Sequence, residues 1–363
     1  MITVSRLTVK ELAIFVNDTS LADRNILPIS RQRAMSFMAN PRAVSSDVVM
    51  YLAYSFDELV GYRTVLPDIA YVEGVPLKVA WLSGSWVHPN YRRKGIASEL
   101  LNAIYADWDQ RILSSNFAPY AKKVYDKTHN FTTISESIGA RFYLKSTFLK
   151  SYNCCKHENS FKFGLEKTIN LFNPTPIFRS FLKLPKNVEL EYYTRPDDEL
   201  STLFEETTNL TLTGRSRIEW NWILRFPWMQ PAPLGDRVAP KYFFASAPQS
   251  FNQYIIKVYR NKELIGMLHI QHSHTRLTVP YCYFEPENAK VMAQIVLLHA
   301  RNLNATFIAL YNPLLINELY LYRRFFLWIT KRKREYLSTN ELAERLKNSV
   351  IRFNDGDGDC AFI

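Results

Sequence analysis

No run in the 363 residues approaches the roughly eighteen consecutive apolar residues that a membrane-spanning helix needs. The N-terminus also lacks the charged region and apolar core of a secretory leader, so the expectation is a soluble, cytoplasmic protein without a membrane partner. Cysteine is scarce, at four. Cys154 and Cys155 are adjacent and poorly suited to a disulfide within a regular element, Cys282 and Cys360 are isolated, and none has metal-site spacing. His269, His272 and His274 cluster on a strand and its turn, but only His272 and His274 would share a face if the strand continued, and no third and fourth ligands can be named, so they read as strand histidines. The tail Asp355-Gly-Asp357-Gly-Asp359 opens like a calcium loop, yet the bidentate glutamate due at the twelfth position is missing. No metal is expected.

What is present is length enough for two domains and, at 47% hydrophobic residues, enough apolar content for two cores. The net charge of +11 raises the question of nucleic acid. The positive residues are nevertheless spread along the chain, with dense clusters only at Arg92–Lys94 and Lys331–Arg334. The first has another use, described next, and the second reads as a solvated stretch beside a strand or helix end. No nucleic-acid partner is expected, whereas an anionic acceptor or acidic partner stays open.

The most informative stretch runs from Ser85 to Ser98. Leu77, Val79 and Trp81 alternate as a half-buried strand, Gly84 marks a bulge or splay, and Trp86 and Val87 resume the apolar run. After Pro89 come Arg92, Arg93 and Lys94, then Gly95, which lets a ligand approach the backbone. A helix follows at once, with Ile96, Leu100, Leu101, Ile104, Tyr105 and Trp108 on one face. Its first amides have no internal partners and sit at the positive end of the helix dipole, an arrangement that accepts phosphate oxygens.

Val87-His-Pro89-Asn-Tyr91-Arg92-x-x-Gly95-x-Ala97 resembles the lead-in and the Gln/Arg-x-x-Gly-x-Gly/Ala signature of the GNAT N-acyltransferase superfamily. The resemblance implies an acyl-coenzyme A co-substrate, usually acetyl-CoA. Its pyrophosphate would lie on the amides from Arg93 through Lys94, Gly95, Ile96 and Ala97 to Ser98, beside Arg92, and its pantetheine arm along the strand edge at Trp86 and Val87. It also implies a helix tyrosine that protonates the departing thiolate. Val124-Tyr125-Asp126-Lys127-Thr128-His129-Asn130-Phe131 matches that setting at Tyr125 and Lys127 but is one residue longer, with His129-Asn130 in place of the usual glycine. No general base announces itself. Ser83, Ser85 and His88 lie near the reacting end, and His88 beside a proline reads as a surface or capping residue. A base from the tail, either an Asp or the Ile363 carboxylate, and a water relay are the alternatives.

The first 150 residues order their elements as a GNAT domain does. Strand 2–6, helices 8–17 and 27–39, strands 48–53 and 59–66, and a hairpin through Glu73-Gly74 lead to the turn. Helix 96–110, an extended piece near Phe117, the Tyr125 helix and a strand near Phe142–Leu144 follow. Residues 151–187, interrupted by Asn173-Pro-Thr-Pro176, read as a linker. From 188 to 363 the order repeats: strand 188–193, helices 197–207 and 217–224, a Pro-rich stretch 227–248, a hairpin through Glu263, strand 277–284, helix 286–302 and a second tyrosine helix. Such a period means a duplicated domain. Where the first copy has Arg-Arg-Lys-Gly, the second has Glu285-Pro-Glu287-Asn, and acids at a helix start repel a pyrophosphate.

The expected fold is therefore α/β, a tandem GNAT-like acyl-CoA N-acyltransferase fold with mixed, mostly antiparallel sheets flanked by helices. Its catalytic domain would span residues 1–150, and a degenerate copy over 188–363 would help to shape the acceptor cleft. The expected activity is transfer of an acetyl group from acetyl-CoA to a primary amine of an amino sugar, small amine, aminoacyl group or peptide, with Tyr125 as acid. The competing class is a non-catalytic acyl-CoA-binding sensor or interaction protein.

Overall fold

Strand β1 (Ile2–Thr8) gives way to helix α1 (Val9–Phe15) at Thr8, whose hydroxyl accepts from the Glu11 amide while the Glu11 carboxylate accepts from the Thr8 amide. In the computed structural model, residues 2–362 are described except 116, 147–182, 209 and 350. Most of the expected linker, Cys154, Cys155 and Ile363 lie outside the described residues. Helix α2 (Arg31–Met38) starts at Ser30, which caps the Arg33 amide, so the helix is shorter than the 27–39 pattern predicts. The residues before it extend instead, and Leu27 bridges Tyr242.

Strands β2 (Val48–Ser55), β3 (Glu58–Val72) and β4 (Val75–Val87) form an antiparallel meander, followed by helix α3 (Ile96–Asp107), strand β5 (Ile112–Ser114), helix α4 (Pro119–Thr128) and strand β6 (Phe131–Tyr143). Helix α3 stops short of residue 110 because Asp109 and Gln110 take left-handed φ values of 45° and 54°. The same order then recurs. Strand β7 (Val188–Tyr193), helices α5 (Asp198–Thr208) and α6 (Arg217–Arg225), and strands β8 (Phe251–Arg260), β9 (Glu263–Ser273) and β10 (Arg276–Phe284) lead to helix α7 (Ala289–Asn302). Strand β11 (Phe307–Leu310), helix α8 (Pro313–Leu321), strand β12 (Trp328–Thr339) and an added helix α9 (Asn340–Leu346) close the series. The cluster Lys331–Arg334 lies inside β12, with Lys331, Arg332 and Lys333 exposed.

The chain divides into two compact units, and their limits differ from the expected 1–150 and 188–363. One comprises residues 1–136, 195–248 and 334–363; the other comprises 137–194 and 249–333. The reason is an exchange of strands. In the first unit, β1, β2, β3 and β4 are antiparallel neighbours, β5 joins β4 in parallel, and the far end of β12 pairs with β5, Leu337 opposite Ser114 and Ser338 opposite Leu113. In the second, β7, β8, β9 and β10 are antiparallel, β11 joins β10 in parallel, and β6 pairs with β11 from Phe307–Tyr143 to Leu310–Ala140. Each unit thus pairs one of its strands with a strand from the other half of the sequence. Reading elements in chain order cannot reveal this, because nothing local marks the exchange.

Both units bury a helix against a sheet. In the first, Ile96, Leu100, Leu101 and Ile104 of α3 pack with Tyr51, Val60, Val65, Ala80 and Leu82, each side chain contributing about 1.5–3 kcal/mol by burial. A Cβ on Gly61 would lie 2.9 Å from Ile96 Cγ2, so the helix approaches β3 as closely as glycine allows. In the second unit, Met292, Ile295 and Val296 of α7 pack with Ile256, Leu268, Ile270 and Leu277.

Three separate segments of the first unit meet at Asp68. Arg215 grips its carboxylate with both terminal nitrogens, at 2.8 and 2.9 Å, and Arg42 Nη1 lies 2.6 Å from Oδ1. Trp81 Nε1 donates to Oδ2 at 2.9 Å. Arg42 reaches Glu219 at 2.9 Å, and Arg215 faces Asp357 at 3.9 Å. Burial is the largest influence on Asp68 and pushes its pKa up, but Arg215 and Arg42 together hold it down at about 2. A carboxylate depressed in the folded state contributes stability above its unfolded pKa, near 3.8, and loses it as the pH falls towards 2. That contribution is about 2 kcal/mol at neutral pH. Asp68→Asn, which takes from two buried guanidiniums the carboxylate they share, should lower stability at pH 7 by about 3–5 kcal/mol in urea denaturation. The deficit should narrow between pH 4 and pH 2, and a constant deficit across that range would contradict the assignment.

Candidate active site

The middle of β4 is deformed. Gly84 has φ +52° and shifts the register with β3, so that Thr64 faces Ser83 and Arg63 faces Ser85. A Cβ there would lie 3.0 Å from Thr64 Oγ1, 3.1 Å from the Tyr242 hydroxyl and 3.2 Å from Arg33 Nη2. Glycine is thus demanded by conformation and by crowding alike. Strand β5 pairs with β4 only at Ala80 and Trp81. Beyond that point, from Leu82 to Val87, no strand partner covers this edge of β4 among the described residues.

A cavity of about 330 Å³ opens where the two strands part, lined among others by Arg63, Ser83, Ser85, Ser114, Tyr125 and Asp359. Tyr125 is 2% exposed, held edge-on by Phe117 and packed on Phe131 at 4.9 Å. Arg63 Nη2 donates to its phenolic oxygen, as does Ser114 Oγ at 3.5 Å. Both bonds use the oxygen as acceptor and leave the phenolic hydrogen uncommitted.

Asp359 enters from the C-terminal segment, on a 3₁₀ turn (Gly358–Phe362) whose Phe362 ring stacks on Trp228 at 4.9 Å. Its Oδ2 accepts from Ser83 Oγ at 2.5 Å, and Ser83 Oγ accepts in turn from Arg33 Nη2 at 2.5 Å. Burial raises the Asp359 pKa above the usual carboxylate range, against the opposing influence of the Ser83 bond and of Arg33. Arg33 lies on the Trp228 ring at 3.8 Å and donates to Tyr242 at 2.7 Å and Thr64 at 3.2 Å. Its donors are therefore largely spent within the protein.

The basic turn follows the end of β4. His88 Nδ1 accepts from the Asn90 amide at 3.2 Å, capping a 3₁₀ turn (Pro89–Tyr91), and His88 is absent from the cavity lining. Arg93 and Gly95 both take left-handed φ, at 64° and 84°. For Arg93 this conformation costs about 1 kcal/mol. Gly95 is the N-cap of α3 and makes no side-chain cap, and a Cβ there would meet nothing within 4 Å. Among the described residues, no acceptor faces the amides of Arg93, Lys94, Gly95, Ile96 or Ala97, whereas the Ser98 amide bonds Gly95 O at 2.9 Å. The turn is thus a row of outward donors at the positive end of a 12-residue helix, flanked by exposed Arg92, Arg93 and Lys94. Trp86 is buried against Tyr62 at 5.5 Å, and Val87 O accepts from Arg92 Nε at 3.3 Å. Ile96 faces the core, so only its amide is available.

Tyr125 and the basic turn therefore share one unit, but Tyr125 lines the cavity while residues 92–98 do not. Arg33 and Arg63 escape notice in the sequence because each is a lone arginine in an ordinary helix or strand pattern. The acid-glycine repeat of the tail was the only sign of Asp359.

Residues 30–128 match the acetyltransferase (GNAT) domain family. No curated protein matches the chain significantly. Among solved structures, a GCN5-related N-acetyltransferase from Anabaena variabilis aligns over 93% of this chain and 72% of its own, at 11% identity and a TM-score of 0.49. A tandem GNAT protein from the clavulanic acid biosynthesis pathway aligns over 93% and 97%, at 13% identity and 0.49. A GCN5-related N-acetyltransferase from Kribbella flavida aligns over 93% and 70%, at 12% identity and 0.48. The segment 30–128 that is similar to this family carries the basic turn, helix α3 and Tyr125.

Proposed function

We propose that this domain transfers an acetyl group from acetyl-CoA to the primary amine of a small acceptor. The observation that carries the reading is that an uncommitted phenol, Tyr125, and a partly buried carboxylate, Asp359, line one cavity where β4 and β5 part. The residues present fit acetyl-CoA. Five consecutive amides from Arg93 to Ala97 lack acceptors, as a pyrophosphate needs, and the free β4 edge through Trp86 and Val87 offers hydrogen bonds to a pantetheine arm. Bound there, acetyl-CoA supplies an activated thioester.

Each protein group then has a defined task. Asp359 takes a proton from the acceptor ammonium, for which its raised pKa makes it a better base than an ordinary carboxylate. Tyr125 gives its phenolic hydrogen to the departing sulfur and is restored by the second proton that the nitrogen loses as the amide forms, and Arg63 keeps the phenol in place. The wall that includes Trp228, Tyr242 and Asp359 comes from the second half of the sequence. The copy that begins at residue 188 does not itself bind acyl-CoA, since Glu285 and Glu287 stand where the first copy has its basic turn.

Gly95→Glu should abolish acetyl-CoA binding in calorimetry, while Gly95→Asn, which tolerates left-handed φ, should retain it; equal affinity in both variants would sink the cradle. Tyr125→Phe should lower kcat about 100-fold with an unchanged Kd for acetyl-CoA. Full turnover in that variant would remove Tyr125 as the acid. A base acts only when deprotonated, so the acid limb of the kcat profile should lie above the ordinary carboxylate range and vanish in Asp359→Asn together with about 100-fold of rate. An intact limb in that variant would assign the base elsewhere.

A further inference from the structure

Four arginines of the first unit are nearly inaccessible: Arg33, Arg42, Arg63 and Arg215. Three have an anion at hand. Arg42 and Arg215 share Asp68 and reach Glu219 and Asp357 respectively, and Arg33 is linked to Asp359 through the Ser83 hydroxyl. Arg63 differs. It is 3% exposed, its side chain makes one hydrogen bond among the described residues, to neutral Tyr125, and its Nε has no partner. No carboxylate of the described residues forms an ion pair with it, although it lines the cavity. A buried cation without an anion is costly in any fold, and such a charge inside a ligand cavity is completed by the ligand.

The opposite charge in the same cavity is Asp359. Ser83, which bonds Asp359, and Ser85, which faces Arg63 across the strands, are two residues apart on β4. An α-amino acid, whose ammonium and carboxylate are borne by one carbon, offers a cation to Asp359 and an anion to Arg63 within the one cavity that both line. The cavity volume, near the lower end of the 300–1,000 Å³ typical of ligand sites, suits a small acceptor together with an acetyl group. A second cavity of about 350 Å³ shares Ser30, Trp228, Ala245 and Ser246 with the first and leaves room for a side chain.

We propose that the acceptor is a free amino acid, its carboxylate held by Arg63 and its amine presented to Asp359. This rests on the acetyltransferase reading above and narrows its acceptor to a zwitterion. Arg63 is a substrate-binding residue here as well as the group that positions Tyr125. Its loss should therefore slow every acceptor, and the informative quantity is the ratio between acceptors that differ only in the carboxylate.

The test offers the twenty standard amino acids, as free acids and as the matching carboxamides, to the full chain with acetyl-CoA. At least one free acid should be acetylated with kcat/KM ten or more times that of its carboxamide. Arg63→Gln should bring that ratio to about one, and Arg63→Lys should keep part of it, with an unchanged Kd for acetyl-CoA showing that both variants fold. A wild-type ratio of one or below, or a ratio untouched in Arg63→Gln, overturns the proposal while transfer to the carboxamides still supports the acetyltransferase reading. If none of these compounds is acetylated, calorimetry with the same compounds decides the proposal alone. Binding of a free acid but not its carboxamide, lost in Arg63→Gln, upholds it; absence of any such preference overturns it.

Discussion

Asp68 is the carboxylate on which the first unit is assembled. It lies on β3, its guanidinium partners come from the segment after α2 and from the segment before α6, and through Arg215 it faces Asp357 near the C-terminus. Residues far apart in the chain are thereby fixed against the same strand. The cavity depends on this, since the 195–248 segment supplies Trp228 and Tyr242 and the final segment supplies Asp359. A buried ion pair is a poor source of net stability, because desolvation offsets most of its attraction. What it does supply is selection: among the ways of laying apolar segments on β3 and β4, only one brings the charges together.

The exchange of strands acts in the same direction. The far end of strand β12 pairs with β5, and the 3₁₀ turn bearing Asp359 follows it in the same segment. The splay of β4 and β5 leaves a strand edge and a cavity, and Gly84 supplies the bulge that places Ser83 and Ser85 on its wall. On the proposed reading, catalysis and acceptor recognition share a wall built around this one bulge in β4.

Much of the element order was legible from residue patterns. The basic turn was legible because its parts are contiguous: strand, proline, three cations, glycine and helix fall within fifteen residues, so short-range physics is enough to imply an anion cradle. The helix that carries Tyr125 was legible as well. Strand β12 was not, since Lys331-Arg-Lys-Arg334 masks its alternation. Arg33, Arg63 and the true limits of the units were not legible either, because their meaning lies in partners across long sequence separations. Ser83 and Asp359, 276 residues apart, are the extreme case. The tail showed in sequence only as alternating aspartate and glycine, and its burial follows from Asp357, Phe362 and Trp228 packing in three dimensions.

That separation also has a meaning in time. A ribosome that adds about 5–20 residues per second leaves an interval on the order of tens of seconds between the emergence of Ser83 and that of Asp359. During that interval the basic turn and helix α3 already exist as a contiguous stretch, while the carboxylate that completes the cavity has not yet been made. The part of the cavity wall that Asp359 supplies is therefore added long after the basic turn and helix α3 have emerged.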